Sequence, residues 1–331
     1  MRKLKFSSEN IFALVLFIVG LLLPVFLEGY QLSVYSYYIA MTILALSITL
    51  VWGYAGIFSF GQAAFMGMGA YIYGIVGKAI ENKAFTPLAM LIAIIVMMIV
   101  GAVLAYLIFY GGVNDVFVGL ITMCIGIALE TFMGQTAGNQ WKIFGVKLGG
   151  YNGMTKIPML HFGSYKLTDV TFYLFSFAIL VILYAVLRWL LKTKMGYSLI
   201  AIRENRHRSE LFGYNVPFIQ TVVFAVSTGL AALAGVLYSA WGAYIAPSNL
   251  SMTQSTIPIV IVASGGRKNP TAALLFSLCY YIFSGQLSKS GSELNYVILG
   301  LVLIIVLLFI PEGLFSALFR KIDTLVLKNK K

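Results

Sequence analysis

Charge is what this sequence has least of. Only 10% of its 331 residues are charged, against about 25% in a soluble globular domain. That excludes an ordinary water-soluble domain, and a 60% hydrophobic share places the chain in a bilayer. Acids are scarcer still, 11 Asp and Glu against 23 Lys and Arg. Glu130 alone lies well inside an apolar run, so a carrier driven by protons or sodium ions lacks the intramembrane acids it would need. Glu130 itself reads equally as a functional acid or as a side chain reaching the interface. Histidine occurs twice, at His161 and His207, and cysteine twice, at Cys124 and Cys279. This leaves no disulfide framework and little from which to build a zinc site or a triad. Both cysteines fall in apolar runs and read as small core residues. No G-x-x-x-x-G-K-[ST] stretch is present, so the chain should not hydrolyse ATP itself. Ten-residue alternating strands, the mark of a membrane barrel, are also missing. An intramembrane enzyme would need paired acids, a His cluster or a nucleophile with its base, and none appears. No catalytic residue, no metal ligand and no cofactor is therefore expected in this chain.

What the sequence does have is apolar runs. They lie near 11–27, 34–52, 61–78, 87–109, 116–134, 170–191, 217–242, 252–264, 270–287 and 294–310. The expected fold is an all-α polytopic membrane protein of about ten transmembrane or re-entrant helices, one domain over 1–331. The third run is rich in Gly and Ala, and the eighth is short and carries Pro258. A broken or re-entrant segment is expected at the eighth, sheltered by protein. The run 11–27 follows Arg2, Lys3 and Lys5 but has a poor cleavage site after it, Glu28-Gly29-Tyr30-Gln31, so it reads as an uncleaved first span.

The net charge of +12 is a topology signal rather than a nucleic-acid one, because the basic residues flank the spans. With both termini in the cytoplasm, Lys78, Lys83, Lys142, Lys147, Lys156, Lys166 and Lys289 fall outside and the rest of the 23 Lys and Arg fall inside. Lys142, Lys147, Lys156 and Lys166 share one external loop, about 137–168, whose GGYNGMTKIP is turn chemistry. The clusters at 192–208 and 320–331 agree on one side, which an even number of crossings requires.

Two stretches stand out. The first, GYSLIAIRENRHRSELFGYNV at 196–216, is the most polar of any length. Its pattern predicts a short charged helix at about 198–212, with Ser198 as N-cap, a Glu204–Arg208 pair and Gly213 as a left-handed exit. Pro217 suits the first turn of the next helix. Such an element between two spans is either a solvated loop or a docking helix for a soluble partner, and the order of charge, gap and exit glycine favours docking. The second, WGYAGIFSFGQAAFMGMGAYIYG at 52–74, has glycines that permit close helix packing or an unwound segment beside a pore. Ser59, Phe60, Gly61 and Gln62, with Phe65, are the expected lining of a substrate path. Gly229, Ala231, Ala232, Ala234 and Gly235 form another close-packing face. Ser264, Gly265, Gly266, Arg267 and Lys268 make a glycine turn with two positive charges, either a gate, a contact to a partner or a positive-inside anchor.

Taken together, LVWGYAGIFSFGQAAFMGMGAY (50–71), GGYNGMTKIP (149–158), MGYSLIAIRENRHRSELFGYNV (195–216), LAALAGVLYS (230–239) and PEGL (311–314) resemble the membrane subunits of ABC importers of the branched-chain amino-acid and urea type. The motifs come in the family's order, from about residue 35 to 315. The resemblance implies a helical permease in a bacterial-type cytoplasmic membrane, paired with a second, homologous permease. Two cytoplasmic ATPase subunits, which bind the ATP, and an extracytoplasmic solute-binding protein complete it. In that family the segment matching 201–213 is the coupling helix, which puts Ala201, Arg203, Glu204, Asn205, Glu210, Leu211 and Gly213 on the ATPase. Where many branched-chain amino-acid permeases carry a GGLGS-like turn, this chain has GGRKNP at 265–270, a form closer to the urea branch. The competing function is a stand-alone channel or facilitator for a small neutral solute, which would need no partner.

Overall fold

Apolar runs of this length can satisfy their backbone only as helices when water is absent, and helices are what the chain forms. The computed structural model describes residues 8–80, 82–163, 165–289 and 294–328. Arg2, Lys3, Lys5 and the basic residues at 329–331 lie outside the described residues. The helices are α1 (Ser8–Phe26), α2 (Gly29–Ile48), α3 (Gln62–Ala79), α4 (Thr86–Tyr110), α5 (Asp115–Gln135) and α6 (Asp169–Leu190). After these come α7 (Lys194–Glu204), α8 (Arg206–Leu211), α9 (Val216–Gly242), α10 (Met252–Gly265), α11 (Pro270–Ser288), α12 (Leu294–Phe309) and α13 (Leu314–Lys328). Seven helices among the described residues are long and apolar enough to cross a membrane, eight if a pair bent by 46° within α12 and α13 is one span. The expected ten therefore becomes this smaller set plus α3, 18 residues long but less apolar, and the 14-residue α10, at the two runs that looked weakest. By length and composition these helices make the chain a multi-pass membrane protein.

Local chemistry sets the boundaries. Asn215 accepts from the Phe218 N–H and Asn269 from those of Thr271 and Ala272. Each caps a helix whose first turn carries a proline, Pro217 or Pro270. Thr168 and Thr171 close α6 with a reciprocal capping box. α2 widens into a π-helical stretch, Thr49–Tyr54, before the chain leaves the helix at Ala55, the kind of defect often found at functional sites.

The helices alternate in direction between two ends. One carries the basic clusters: Arg188 of α6 bonds Glu9 of α1 at 3.1 Å, and the backbone N–H of Ser8 donates to Asp323 at 3.0 Å. The first and last described helices thus meet at the same end. The other carries the 137–168 loop, which folds as short antiparallel ribbons: β1 (Lys142–Ile143) with β2 (Val146–Lys147), and β4 (His161–Phe162) with β5 (Tyr165–Lys166). β3 (Met154–Thr155) pairs with β6 (Tyr244–Ile245) beyond α9.

α2 and α9 are the central pair, joined where Ser227 donates to the Ser47 carbonyl at 2.9 Å. The small-residue face on α9 does what its composition predicts: Gly235 lies against the Met66 backbone, and Ala232 against Gly69 of α3. α2 runs from the loop end to the basic end and α9 the opposite way, as Trp241 donating to Ser33 at 2.8 Å shows. Each is followed by an irregular stretch, 55–61 or 243–251, that turns back into the bundle and starts a shortened helix, α3 or α10. α3 then packs on α9, and α10 on α2. This is one motif used twice in opposite directions, and it starts both α3 and α10 inside the bundle.

Cys124 and Cys279 are not core residues: both sit on the outer surface of the bundle. In a membrane protein that surface is apolar too, so an apolar run does not separate the core side from the lipid side.

Candidate coupling and translocation site

The polar stretch between α6 and α9 forms two helices, not one. α7 begins at Lys194, four residues before the expected Ser198, and Ser198 instead bonds back to the Met195 carbonyl at 2.7 Å. Asn205 interrupts the helix with extended backbone, and its side chain caps α8 through the Arg208 N–H at 2.9 Å. Gly213 adopts φ +85°, the left-handed exit that its position predicts. The expected Glu204–Arg208 pair does not form, because the break at Asn205 removes the helical i,i+4 spacing. Arg206 pairs with Glu210 at 3.2 Å within α8.

Glu204 stays exposed beside the bundle. It pairs with Arg203 at 2.8 Å and Lys268 at 3.5 Å. The Arg203 hydrogen bond, then the Lys268 charge, holds its carboxyl below the usual carboxylate range. Arg203 also donates to the Gly53 carbonyl in the π-helical end of α2. Gly56 has φ +76°, and a Cβ there would meet the Arg203 side chain, so this position requires glycine. Tyr54 donates to the Lys268 carbonyl at 2.8 Å, and the Arg267 guanidinium lies 4.9 Å from the Trp52 ring centroid, a cation–π contact. One latch thus fastens α7 to the segment entering 55–61 and to the turn leaving α10.

The face of α7–α8 away from the bundle is open. Leu211 is 74% and Phe212 83% exposed, with Tyr197, Ala201, Asn205, Glu210 and Tyr214 also exposed around them. An apolar knob with a charged rim, outside the bundle, is the composition of a docking surface.

Inside the bundle the two short helices meet end to side. The Ala63 N–H donates to Ser255 of α10 at 3.2 Å, and the Ser47 hydroxyl to the Gln62 side-chain oxygen at 3.3 Å. Ser59 accepts from the Gly61 N–H, and the Phe60 N–H donates to Thr122 of α5 at 3.1 Å. Ser251 caps α10 through the Gln254 N–H at 3.3 Å. A Ser-x-x-Gln therefore opens both short helices, Ser59 to Gln62 and Ser251 to Gln254. Gln62 is fully buried, and its side-chain N–H2 has no partner.

With this geometry in view, the comparisons bear on which family builds it. The family described as "branched-chain amino acid transport system / permease component" has a model that matches residues 30–307. The chain belongs to this family. Among similar permeases is the high-affinity branched-chain amino acid transport system permease protein LivM of Salmonella typhimurium, 21% identical over 93% of this chain and 75% of its own length. The LivM protein of Escherichia coli K12 gives the same figures, 21%, 93% and 75%. The probable branched-chain amino acid transport permease protein LivM of Methanocaldococcus jannaschii is 24% identical over 82% of this chain and 89% of its own. No solved structure matches the chain. The names of these relatives specify branched-chain amino acids, not urea.

For a permease component, the sequence-predicted residues divide by location. Ser59, Gln62 and Phe65 are buried together, Phe65 edge-on to Phe224 with centroids 5.8 Å apart, and Phe60 is half-buried against Phe58. Arg203 and Glu204 belong to the latch, whereas Ala201, Asn205, Glu210, Leu211 and Gly213 lie on the open face. Gly265 ends α10, Gly266 packs against Ser316 with φ +129°, and Arg267 covers Trp52. Glu130 is half-buried on α5 and has no ion pair among the described residues. Sequence reasoning missed Phe212, Trp52, Ser255 and Thr122, and marked Lys268 only as part of the glycine turn. Phe212 was findable as an aromatic beside a helix exit in a charged loop. Ser255 and Thr122 carried no signal, because their role depends on which helices become neighbours.

Proposed function

We propose that this permease is the translocation subunit of an ATP-driven importer for branched-chain amino acids. It works with a second, homologous permease, two cytoplasmic ATPase subunits and an extracytoplasmic binding protein. The carrying observation is the latch: the element whose outer face is open for docking is fastened on its inner face to both broken helices. The basic end is the cytoplasmic one, so Leu211 and Phe212 face the ATPase. A displacement of α7–α8 reaches Gly53–Gly56 through Arg203 and the α10 turn through Glu204 and Lys268. Both routes end where Gln62 and Ala63 face Ser255. Ser59 through Phe65 then open or close the path, and ATP stays on the partner subunits.

Two observations support this over the competing readings. A self-sufficient facilitator has no use for an exposed Leu–Phe knob at a charged turn. The urea reading leaned on the turn 265–267, but Arg267 is engaged by Trp52 and Gly266 by Ser316, so that turn serves as an anchor rather than selecting solute.

The test is uptake of radiolabelled leucine by cells carrying the assembled system, with valine, isoleucine and urea as competitors. Uptake should require this chain and an intact ATPase, and should yield to valine and isoleucine. Uptake that survives an inactive ATPase, or that only urea displaces, would overturn the reading.

A further inference from the structure

A cavity of about 410 Å³ lies between α2, α9, α10 and α11. No Asp, Glu, Lys, Arg or His lines it. Its polar wall holds the side chains of Tyr37, Tyr38, Tyr280 and Tyr281, none of whose hydroxyls has a hydrogen-bond partner among the described residues. Tyr38 and Tyr281 are only 8% and 7% exposed. The rings of Tyr38 and Tyr281 are packed in the bundle while the four hydroxyls open onto the cavity, where a bound molecule supplies the partner they lack. Its apolar lining is Met41, Leu44, Met66, Ile257 and Pro258. The inner end reaches Ala63 and Gln254, in the first turns of the two short helices, where the dipole favours a negative group. Outward, a second cavity of about 350 Å³ shares Val34, Tyr38, Gly285 and Ser288 and continues to Gln31 and Lys289 near the loop end.

We propose that this cavity is a solute-holding site for a molecule of zero net charge with an aliphatic side and a hydrogen-bonding head. Its head meets the tyrosine hydroxyls and the helix starts, and its aliphatic side lies on Met41, Leu44 and Ile257. An ion with net charge finds no counter-charge in the wall, and burying it unpaired is strongly unfavourable. An aliphatic zwitterion meets each requirement, so this inference rests on the importer reading and names where within the chain its solute waits. Gly285 sets the shape, because a Cβ there would collide with the Tyr38 hydroxyl.

The test uses the assembled importer in nanodiscs, with Cys124 and Cys279 replaced by Ser and a reporter thiol from Ser284→Cys in the cavity wall. A small thiol reagent is applied with L-leucine, L-lysine or urea, and leucine uptake is measured in parallel. Leucine should slow labelling at least threefold and saturably, while lysine and urea should not. Tyr38→Phe with Tyr281→Phe should abolish that protection while leaving assembly intact. If uptake is normal but leucine gives no protection, the cavity is not the site and the importer reading stands. If urea protects, the solute class is wrong. If labelling is blocked in nanodiscs whatever the solute and free in detergent, a lipid chain fills the cavity and the proposal falls. If wild-type leucine uptake itself is absent, the importer reading fails instead. Should Ser284→Cys not assemble, Ser288→Cys from the same wall replaces it.

Discussion

Arg203 makes contacts of two kinds, to the Gly53 carbonyl and to Glu204, and this divides what its neighbours should do. Glu204 has its carboxyl pKa depressed below the ordinary 4.5. A depressed acid contributes stability that is present above its unfolded pKa and is lost as pH falls through the folded value. From pH 5 to 8 Glu204 therefore stays ionised, and recovery of the ATPase with the permease should be flat in that window. A midpoint between pH 5 and 8 that disappears in Glu204→Gln would contradict the latch. Deeper in, Ser255→Ala deletes the acceptor of the buried Ala63 N–H. An orphaned buried donor costs about 1–3 kcal/mol, so thermal unfolding of the purified permease should shift down clearly. An unchanged midpoint would mean the two short helices do not depend on this contact. Of these residues, Arg203 and Glu204 were legible in the sequence as charge in an apolar chain. Ser255 was not, because hydroxyls in helices look alike until their neighbours are known.

The elements were legible to different depths. Hydropathy marks where a helix lies because every buried backbone group must be paired within it. It also found the weak third and eighth runs, since glycine density and Pro258 lower helix continuity. It marked an unwound segment near Ser59–Gln62 and a broken or re-entrant eighth run, but not the neighbours that hold the first of these, Thr122 of α5 and Ser255 of α10. It misplaced the start of α7 and missed the break at Asn205, because an asparagine can sit within a helix or cap one. α8 is only Arg206–Leu211 and cannot hold its shape alone. Asn205→Ala should remove its cap at a cost of about 1 kcal/mol, and Phe212→Ala should remove the knob without touching the bundle. Phe212→Ala is expected to insert and fold normally, to lose most ATPase recovery and to lower uptake at least tenfold. Normal recovery would move the docking surface elsewhere.

At the scale of the whole molecule, the description turns on two ends and one connection between them. With Cys124 and Cys279 replaced, Gln140→Cys should react with an impermeant thiol reagent in intact cells, and Lys192→Cys only after permeabilisation. Reaction of Lys192→Cys in intact cells would reverse the orientation. The connection is tested most directly by exchanging the latch charges, Arg203→Glu together with Glu204→Arg. Net charge and topology signal are unchanged, so insertion should be normal. A carboxylate would then face the Gly53 carbonyl, and an arginine would face Lys268. Within a docked latch this exchange disrupts the contacts, whereas in a solvated loop it changes little. Pull-down of the ATPase with the exchanged permease, beside leucine uptake, separates the two. The account predicts that uptake is lost and that the ATPase is either absent or present without stimulation. Wild-type recovery together with wild-type uptake would contradict it.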